Sequence, residues 1–392
     1  MNKQLKSKHE SMQASKWLLV AFLVIALCVT SVVPTWAATE AAEGEKTLLT
    51  FEEALRLSLA NDVNLKTQAK TLQQLEDGRE RIVDITWDTR PGDVTPVGPA
   101  AIITDITTKN LTLAILQTDL NMRSVEIQRR VEKERIEFVL QNLFNEIRET
   151  QLKQALLEDK LDYLEVLVHQ EQLKRNNGMS SPFMLDQLMK ERDQQVKNRE
   201  ILQQSMNNLY QQLAVMTGLR NIHQYEAEIM HQEFRPLEST DETVLVSRAL
   251  SADPYMAIQR HEVEKAERDR QLFTYTGPDT TPFSVREAEV DKQILKQNRL
   301  REELQKVVEQ RISQLRQLEQ QIAASTIKIK QLDEQLRVLN LQHELGMIIQ
   351  NDLTEKELER NSEIKNLEDL EQSHALLRTL VEKPYIVPDY MK

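Results

Sequence analysis

The sequence is poor in cysteine, glycine and aromatic residues. Its 392 residues include one cysteine and eight glycines, and aromatic residues make up 5% of the chain. A single cysteine cannot form an intramolecular disulfide, which excludes a disulfide-stapled scaffold. The few aromatic side chains argue against a large enzyme-like interior, because such residues supply much of the buried area of a deep core. The charged fraction of 29% is instead typical of long, solvated helices.

Motifs for catalysis and for binding metals or phosphate are also missing. The seven histidines are scattered, and the nearest approach to a zinc-protease motif, at residues 260–267, lacks its second histidine. There is no glycine-rich phosphate loop, no G-x-S-x-G elbow and no cysteine-based metal site. We therefore predict neither an enzyme nor a bound cofactor. The formal net charge of −12 also argues against nucleic acid as a partner, because it would repel phosphates.

The first 37 residues are predicted to be a secretory signal peptide. Lysines precede the apolar stretch 17–33, Pro34 ends it, and residues 35–37 place small side chains at a cleavage site. An uncleaved anchor helix is the alternative, since about 17 apolar residues is the lower limit for spanning a bilayer. Cys28 lies inside this segment, so the exported chain would contain no cysteine. We expect an exported protein of the cell envelope.

The remaining chain is predicted to be all-α and internally duplicated. A first helical repeat spans residues 48–218, a linker covers 219–240, and a second helical repeat spans 241–385. Each repeat has a short broken helix, a Pro/Gly-rich segment, a long helix, a glycine turn and another long helix. The break within residues 59–65 recurs 191 residues later, within residues 250–256. Two unrelated helical hairpins are the alternative.

Two segments rich in proline and glycine are predicted to interrupt the helices. Residues 87–105 contain three prolines and two glycines, and residues 274–284 contain two prolines and one glycine. Such segments suit neither a helix nor a regular strand. The first long helix is therefore expected from about residue 106 to Asn177, roughly 70 residues.

The second long helix carries a heptad seam. Its positions step alternately by three and four residues with one polar gap: Leu315, Leu318, Ile322, Ser325, Ile329, Leu332, Leu336 and Leu339. This spacing predicts left-handed supercoiling against a partner helix. Apolar residues outside the seam, Ile327, Val338 and Leu341, predict a second neighbour, as in a closed wall of helices. A two-stranded coiled coil is the alternative that periodicity leaves open.

These features together resemble the TolC-like outer membrane efflux proteins. The resemblance covers essentially the whole chain after the signal peptide. The stretches that carry it are LTFEEALRLSLANDVNL at 49–65, RNNGMSSPFMLDQ at 175–187, LYQQLAVMTGL at 209–219 and HELGMIIQNDL at 343–353. It implies long coiled-coil hairpins, two from each subunit, that form an α-barrel in a homotrimer.

The resemblance also implies a function and a docking site. The protein would be the exit-duct subunit of a cell-envelope efflux or secretion system, working passively with an inner-membrane pump and an adaptor protein. The turns at Gly178-Met179 and Gly346-Met347 would form the end that docks the adaptor. No metal site is implied.

Two acidic residues follow the second turn. The resemblance implies a role for Asp352 and Glu355, which lie six and nine residues after the glycine. They would line a lumen constriction as rings of carboxylates that favour cations. The alternative is local, with Asn351 or Asp352 as the helix N-cap and Glu355 as an acid in the first turn. The two interpretations are compatible.

The sequence departs from the family in its two Pro/Gly-rich segments. Family members have a β-hairpin in each, and a membrane-spanning strand needs about 9–11 residues with an apolar outward face. Residues 274–284 are too few for such a hairpin, and residues 87–105 show no alternation. We therefore expect the β-barrel hairpins to be reduced or absent, and the protein to stand in the cell-wall space or at the cell surface. An exported coiled-coil spacer of the cell envelope, without a conducting lumen, is the alternative function.

Overall fold

The structure is a computed structural model of the chain. It describes residues 47–88, 99–228, 234–237, 242–273, 275 and 281–391. The predicted signal peptide with Cys28, most of the Pro/Gly-rich segments and parts of the linker lie outside the described residues. Among the described helices, none combines the length and the apolar character needed to span a bilayer.

The described chain is almost entirely helical, so the predicted all-α class is confirmed. Its helices are α1 (Phe51–Asn61), α2 (Val63–Asp88), α3 (Pro99–Asn176), α4 (Pro182–Thr217), α5 (Glu242–Ala252), α6 (Pro254–Gln271), α7 (Phe283–Glu344) and α8 (Gln350–Glu382). Two short strands, β1 (Thr47–Leu49) and β2 (Tyr225–Ala227), pair in a two-stranded sheet that the sequence did not predict.

The prediction that residues 99–105 are not helical was wrong. Helix α3 begins at Pro99 and contains 78 residues, so it is longer than expected. Proline suits the first position of a helix, because its φ is already near the helical value and its missing N–H has no partner to lose there. Residues 87 and 88 are helical as well, as the end of α2, and residues 89–98 lie outside the described part of the chain.

Two long helical hairpins dominate the structure. Helix α3 packs against α4 in the first hairpin, and α7 packs against α8 in the second. Contacts between α3 and α8 join the two hairpins, so the long helices lie in the order α4, α3, α8, α7. Helix α2 packs along α3, and α6 packs between α3 and α7.

Each half has its own apolar core where the short helices cover the long ones. In the first half, Phe144 and Leu213 are buried together with Leu49 of β1, and the Phe51 ring meets the Phe144 ring edge to face at 5.6 Å. In the second half, α5 and α6 cover the buried face of α7 that contains Leu304. These two cores bury the apolar side chains that fix the hairpins to the rest of the chain.

The predicted heptad seam of α7 faces α8. Its residues are buried or half-buried along the hairpin, and the polar gap Ser325 is buried as well. The Ser325 hydroxyl donates to the Glu363 carboxylate of α8 at 2.7 Å, and Lys328 donates to the same carboxylate. Bonds from Lys328 and Ser325 hold the pKa of Glu363 below its usual value. A charged partner thus satisfies the one polar position of the seam, which helps to fix the register of the hairpin.

Several local features recur in both halves. Helices α1 and α5 have 11 residues each, and each is followed by one aspartate that caps the next helix. The Asp62 carboxylate accepts from the Leu65 N–H at 2.7 Å, and the Asp253 carboxylate accepts from the Met256 N–H at 2.9 Å. These parallels support the predicted duplication, which, like the repeat boundaries, stays a prediction.

Candidate functional site at the helical turns

The two turns that join the long helices have the same hydrogen bonds. After α3, the Gly178 N–H donates to the Arg175 carbonyl at 2.9 Å, and the Met179 N–H donates to the Lys174 carbonyl at 2.8 Å. After α7, Gly346 and Met347 make the equivalent bonds to the carbonyls of His343 and Gln342, at 2.9 and 2.8 Å. This pattern is the Schellman motif, in which two orphan carbonyls at a helix end are satisfied by the residues that follow.

The glycines at these turns are needed for backbone conformation. Gly178 has a φ of +72° and Gly346 a φ of +69°, a region that L side chains rarely adopt. A Cβ at either position would meet no atom within 4 Å, so space is not the constraint. The repeated Gly-Met pairs therefore follow from helix termination.

The surface around the turns is apolar and exposed, and we call it the turn surface. It comprises five residues, whose exposed fractions are 78% for Met179, 71% for Phe183, 75% for Leu345, 69% for Met347 and 62% for Ile349. Large apolar side chains clustered on an exposed surface mark an interaction site more often than single ones do. Methionine also adapts its shape to a partner, because its side chain is unbranched and flexible.

Helix α8 begins earlier than it would if Asn351 or Asp352 were its N-cap. Ile349 occupies the N-cap position without a side-chain cap, and Gln350 is the first helical residue. The prediction that Asn351 or Asp352 caps the helix was therefore wrong, and Glu355 lies beyond the first turn. The N-cap residue Ile349 has an extended backbone, and Asp352 is an acid in the first turn, where the helix dipole favours it.

Asp352 and Glu355 are exposed and lie three residues apart on α8. Both are close enough to α3 to act on its Tyr163. Burial raises the pKa of Tyr163 on α3, and the nearby carboxylates of Glu355 and then Asp352 raise it further. Glu355 also lines a groove of about 870 Å³ between α3, α4 and α8, whose floor includes Leu164. The two predicted acids are thus brought together on one face, close to the turns.

An amide pair beside the turns joins the two hairpins, and the sequence analysis did not find it. The Gln170 side chain of α3 donates to the Asn351 side chain of α8 at 3.1 Å, and Asn351 donates in return. Because Gln170 is close to Gly178 along α3 and Asn351 follows Gly346 closely, both turns lie at the same end of the hairpins. Neither amide is charged, so charge patterning gave no signal for this contact.

In the part of the chain that the structure describes, no three His, Cys, Asp or Glu side chains are placed to hold a metal ion. The arrangement consists of two exposed apolar turns, an acidic helix face and an amide contact. It therefore presents apolar surface at the turns and negative charge on the adjacent helix face.

Comparison with known proteins gives a match at the level of structure. No protein-family model matches the sequence, and no curated protein matches it. Among solved structures, the outer membrane protein VceC of Vibrio cholerae aligns with 85% of this chain and 96% of its own, at 12% identity and a TM-score of 0.59. The CmeC outer membrane channel of Campylobacter jejuni covers 86% of this chain and 85% of its own, at 10% identity and a TM-score of 0.56.

A third solved structure agrees with these two. The outer-membrane channel OprN covers 86% of this chain and 89% of its own, at 10% identity and a TM-score of 0.60. At such identities the likeness concerns the fold. The long helices of this chain and its likeness to these neighbours lead to one conclusion. The fold of this chain is that of the TolC-like outer membrane efflux proteins.

Proposed function

We propose that this chain is an exit-duct subunit of a cell-envelope efflux or secretion system. The duct would work passively, with a pump in the inner membrane supplying both the substrate and the energy. The observation that carries the proposal is the single layer of four long helices, which leaves α4 and α7 at its two edges. A layer of this kind becomes a tube only when further copies continue it.

Both edges of this layer expose apolar residues. On α4 these include Val215, and on α7 they include Leu295, Ile327 and Val338. Ile327 and Val338 are among the residues for which the sequence predicts a second neighbour. If α7 of one copy packs against α4 of the next, the contact is head-to-tail and generates a closed ring when the rotation from copy to copy closes. Three copies would give a wall of twelve helices around a lumen.

The turn surface is the proposed docking site for the adaptor protein. Three copies would bring six turns, each with Gly178-Met179 or Gly346-Met347, to one end of the tube. The exposed methionine, leucine, isoleucine and phenylalanine side chains there would bury their apolar area against the partner. The neighbours VceC, CmeC and OprN are outer membrane proteins, which supports a place in the cell envelope for this chain.

Asp352 and Glu355 are the proposed lining of the lumen at its narrow end. Repeated in each copy, they would form rings of carboxylates that concentrate cations at the constriction. Binding of Mn²⁺, followed by its electron paramagnetic resonance signal, should weaken when both residues are changed to the corresponding amides. Unchanged Mn²⁺ binding would show that these two residues do not line the constriction.

The first experiment measures the mass and shape of the exported protein in solution. We expect a trimer and, in negative-stain images, an elongated particle with a central channel. Val215→Glu combined with Ile327→Glu should give monomers, because each charge would be buried at the contact between copies. Met347→Glu is the matched control and should remain trimeric. A wild-type monomer or dimer at all concentrations would favour the alternative, a coiled-coil spacer without a lumen.

The second experiment identifies what the turns bind in cells. A photo-reactive amino acid at position 347 should cross-link the chain to a different envelope protein, the adaptor. The same group at position 327 should cross-link it to another copy of itself. Position 347 capturing only copies of this chain would contradict the docking proposal while leaving the assembly intact.

A further inference from the structure

The groove between α3, α4 and α8 is a second surface feature, separate from the turn surface. Its volume of about 870 Å³ is within the range of pockets that hold small organic molecules. On α3 it extends from Lys153 to Leu167, a length of about 21 Å at 1.5 Å per residue. Its nearer end lies about 16 Å along α3 from Gly178 by the same measure. The groove therefore shares no residue with the turn surface.

The floor and the sides of the groove are apolar. Leu157 and Leu164 of α3 lie on the floor and are buried, with exposed fractions of 9 and 3%. Leu202 of α4 and Leu358 of α8 line the sides and are half-buried, and Ile201 of α4 is exposed. Such a concave apolar surface can remove the apolar part of a ligand from water.

Most of the charged side chains that line the groove are paired. Among the described residues they are Lys153, Lys160, Lys365, Glu191, Glu355 and Glu359. Five of these six take part in ion pairs, which are Lys153–Glu149, Lys160–Glu191, Lys365–Asp369 and Lys356–Glu359. The exception is Glu355, whose carboxylate makes no hydrogen bond or ion pair with any described residue. The groove thus presents one unpaired negative charge.

The ring of Tyr163 lines the groove close to this unpaired carboxylate. Burial raises the pKa of the Tyr163 hydroxyl, and the negative charges of Glu355 and then Asp352 raise it further. Two carboxylates therefore act at the same end of the groove as an aromatic ring. This combination suits an organic cation, because both the face of an aromatic ring and a carboxylate attract positive charge.

We propose that the groove binds an organic cation with apolar substituents. The positive centre lies beside Tyr163 and Glu355, and the substituents cover Leu157 and Leu164. An anion of the same shape would meet the same apolar floor but would be repelled by the unpaired carboxylate. This site goes beyond the proposed function, because three helices of one chain form it and no second copy is needed.

Tetraphenylphosphonium and tetraphenylborate test the site, because the two ions have nearly the same shape and opposite charge. Isothermal titration calorimetry of the exported chain measures the binding of each ion. Sodium chloride at about 0.15 M screens the general attraction of a negatively charged protein for cations. We expect tetraphenylphosphonium to bind about tenfold more tightly, because the same carboxylate attracts one ion and repels the other. Equal or tighter binding of tetraphenylborate contradicts the proposal.

Two glutamate variants separate the groove from the charge of the whole surface. Glu355→Gln removes the unpaired carboxylate and should weaken tetraphenylphosphonium binding about threefold, as expected for one solvent-accessible ion pair. Glu357→Gln is the matched control, because it removes the same charge from α8 at a residue that does not line the groove. It should leave the binding unchanged. Equal effects of the two variants, or no effect of Glu355→Gln, overturn the proposal.

Ile201→Asn tests the apolar part of the site. Ile201 is 62% exposed, so the variant should fold, and circular dichroism checks that its helices are intact. The binding of both ions should weaken, because the apolar contact does not depend on the sign of their charge. Unchanged binding of both ions would place them outside the groove and overturn the proposal. A monomeric wild type would contradict the proposed duct but not this site, because each chain has its own groove.

Discussion

Arg311→Met is expected to lower the free energy of unfolding by about 3–5 kcal/mol, the range found when one partner of a buried charged network is removed. The side chain is 6% exposed and is bonded to three backbone carbonyls and one carboxylate. Burial lowers the pKa of the guanidinium, and its contacts with Asp389 act in the opposite direction. Methionine fills similar space but leaves the carbonyls without a donor, and each unsatisfied acceptor costs about 1–3 kcal/mol.

Urea unfolding followed by helical circular dichroism measures this effect. The matched control is Arg316→Met on the same helix, because Arg316 is half exposed and pairs with Glu242 at 2.6 Å. Loss of such a surface pair is expected to cost less than about 1 kcal/mol. Equal losses in the two variants would show that the carbonyls around Arg311 do not depend on it.

Asp253→Ala is expected to cost about 2–4 kcal/mol, the sum of a lost N-cap and an unpaired buried hydroxyl. The Asp253 carboxylate is 1% exposed, caps α6 through the Met256 N–H and accepts from the Tyr390 hydroxyl. Asp253→Asn is the matched control. It keeps an oxygen for the cap and a polar group for Tyr390, so we expect a cost below about 1 kcal/mol at neutral pH.

The wild type and the Asp253→Asn variant should also differ in how their stability depends on pH. Burial raises the pKa of Asp253 above its usual value of 3.8, although its hydrogen bonds act in the opposite direction. Between 3.8 and the higher pKa of the folded state, the folded chain binds the proton more tightly than the unfolded chain. This stabilising contribution is therefore complete below that window and is lost as the pH rises through it.

Stability measured across this window tests the sign. As the pH rises, the wild type should lose stability relative to Asp253→Asn, which has no proton to release. A difference that stays constant with pH, or that changes in the opposite direction, would show that burial does not dominate the titration of Asp253. If the alanine and asparagine variants lose the same free energy of unfolding, the helix cap and the Tyr390 bond are not the cause of the loss.

Much of the fold could be predicted because the helix ends are marked by local chemistry. Gly178, Gly218 and Gly346 all have positive φ, and each ends a long helix, as the sequence indicates. The heptad steps of α7 likewise identify the face that α8 covers. The start of α3 was missed because proline was taken as an interruption, whereas Pro99 is the first residue of the helix. Local signals thus predict where a helix ends better than where it starts.

The candidate site could be predicted only in part, and for a related reason. The turn glycines and the acids after them are close in sequence, so their spacing shows which residues lie together. Gln170 and Asn351 are 181 residues apart, and an uncharged amide has no pattern by which its partner can be recognised. Tyr385, near the C-terminal end of the chain, likewise bonds to Glu134 across 251 residues.

The amide pair beside the turns has a consequence for the environments in which the protein can work. Glutamine and asparagine neither gain nor lose charge with pH, and salt screens a bond between neutral groups far less than it screens an ion pair. The contact between the two hairpins at this end is therefore expected to depend little on the pH or the salt concentration of the surroundings.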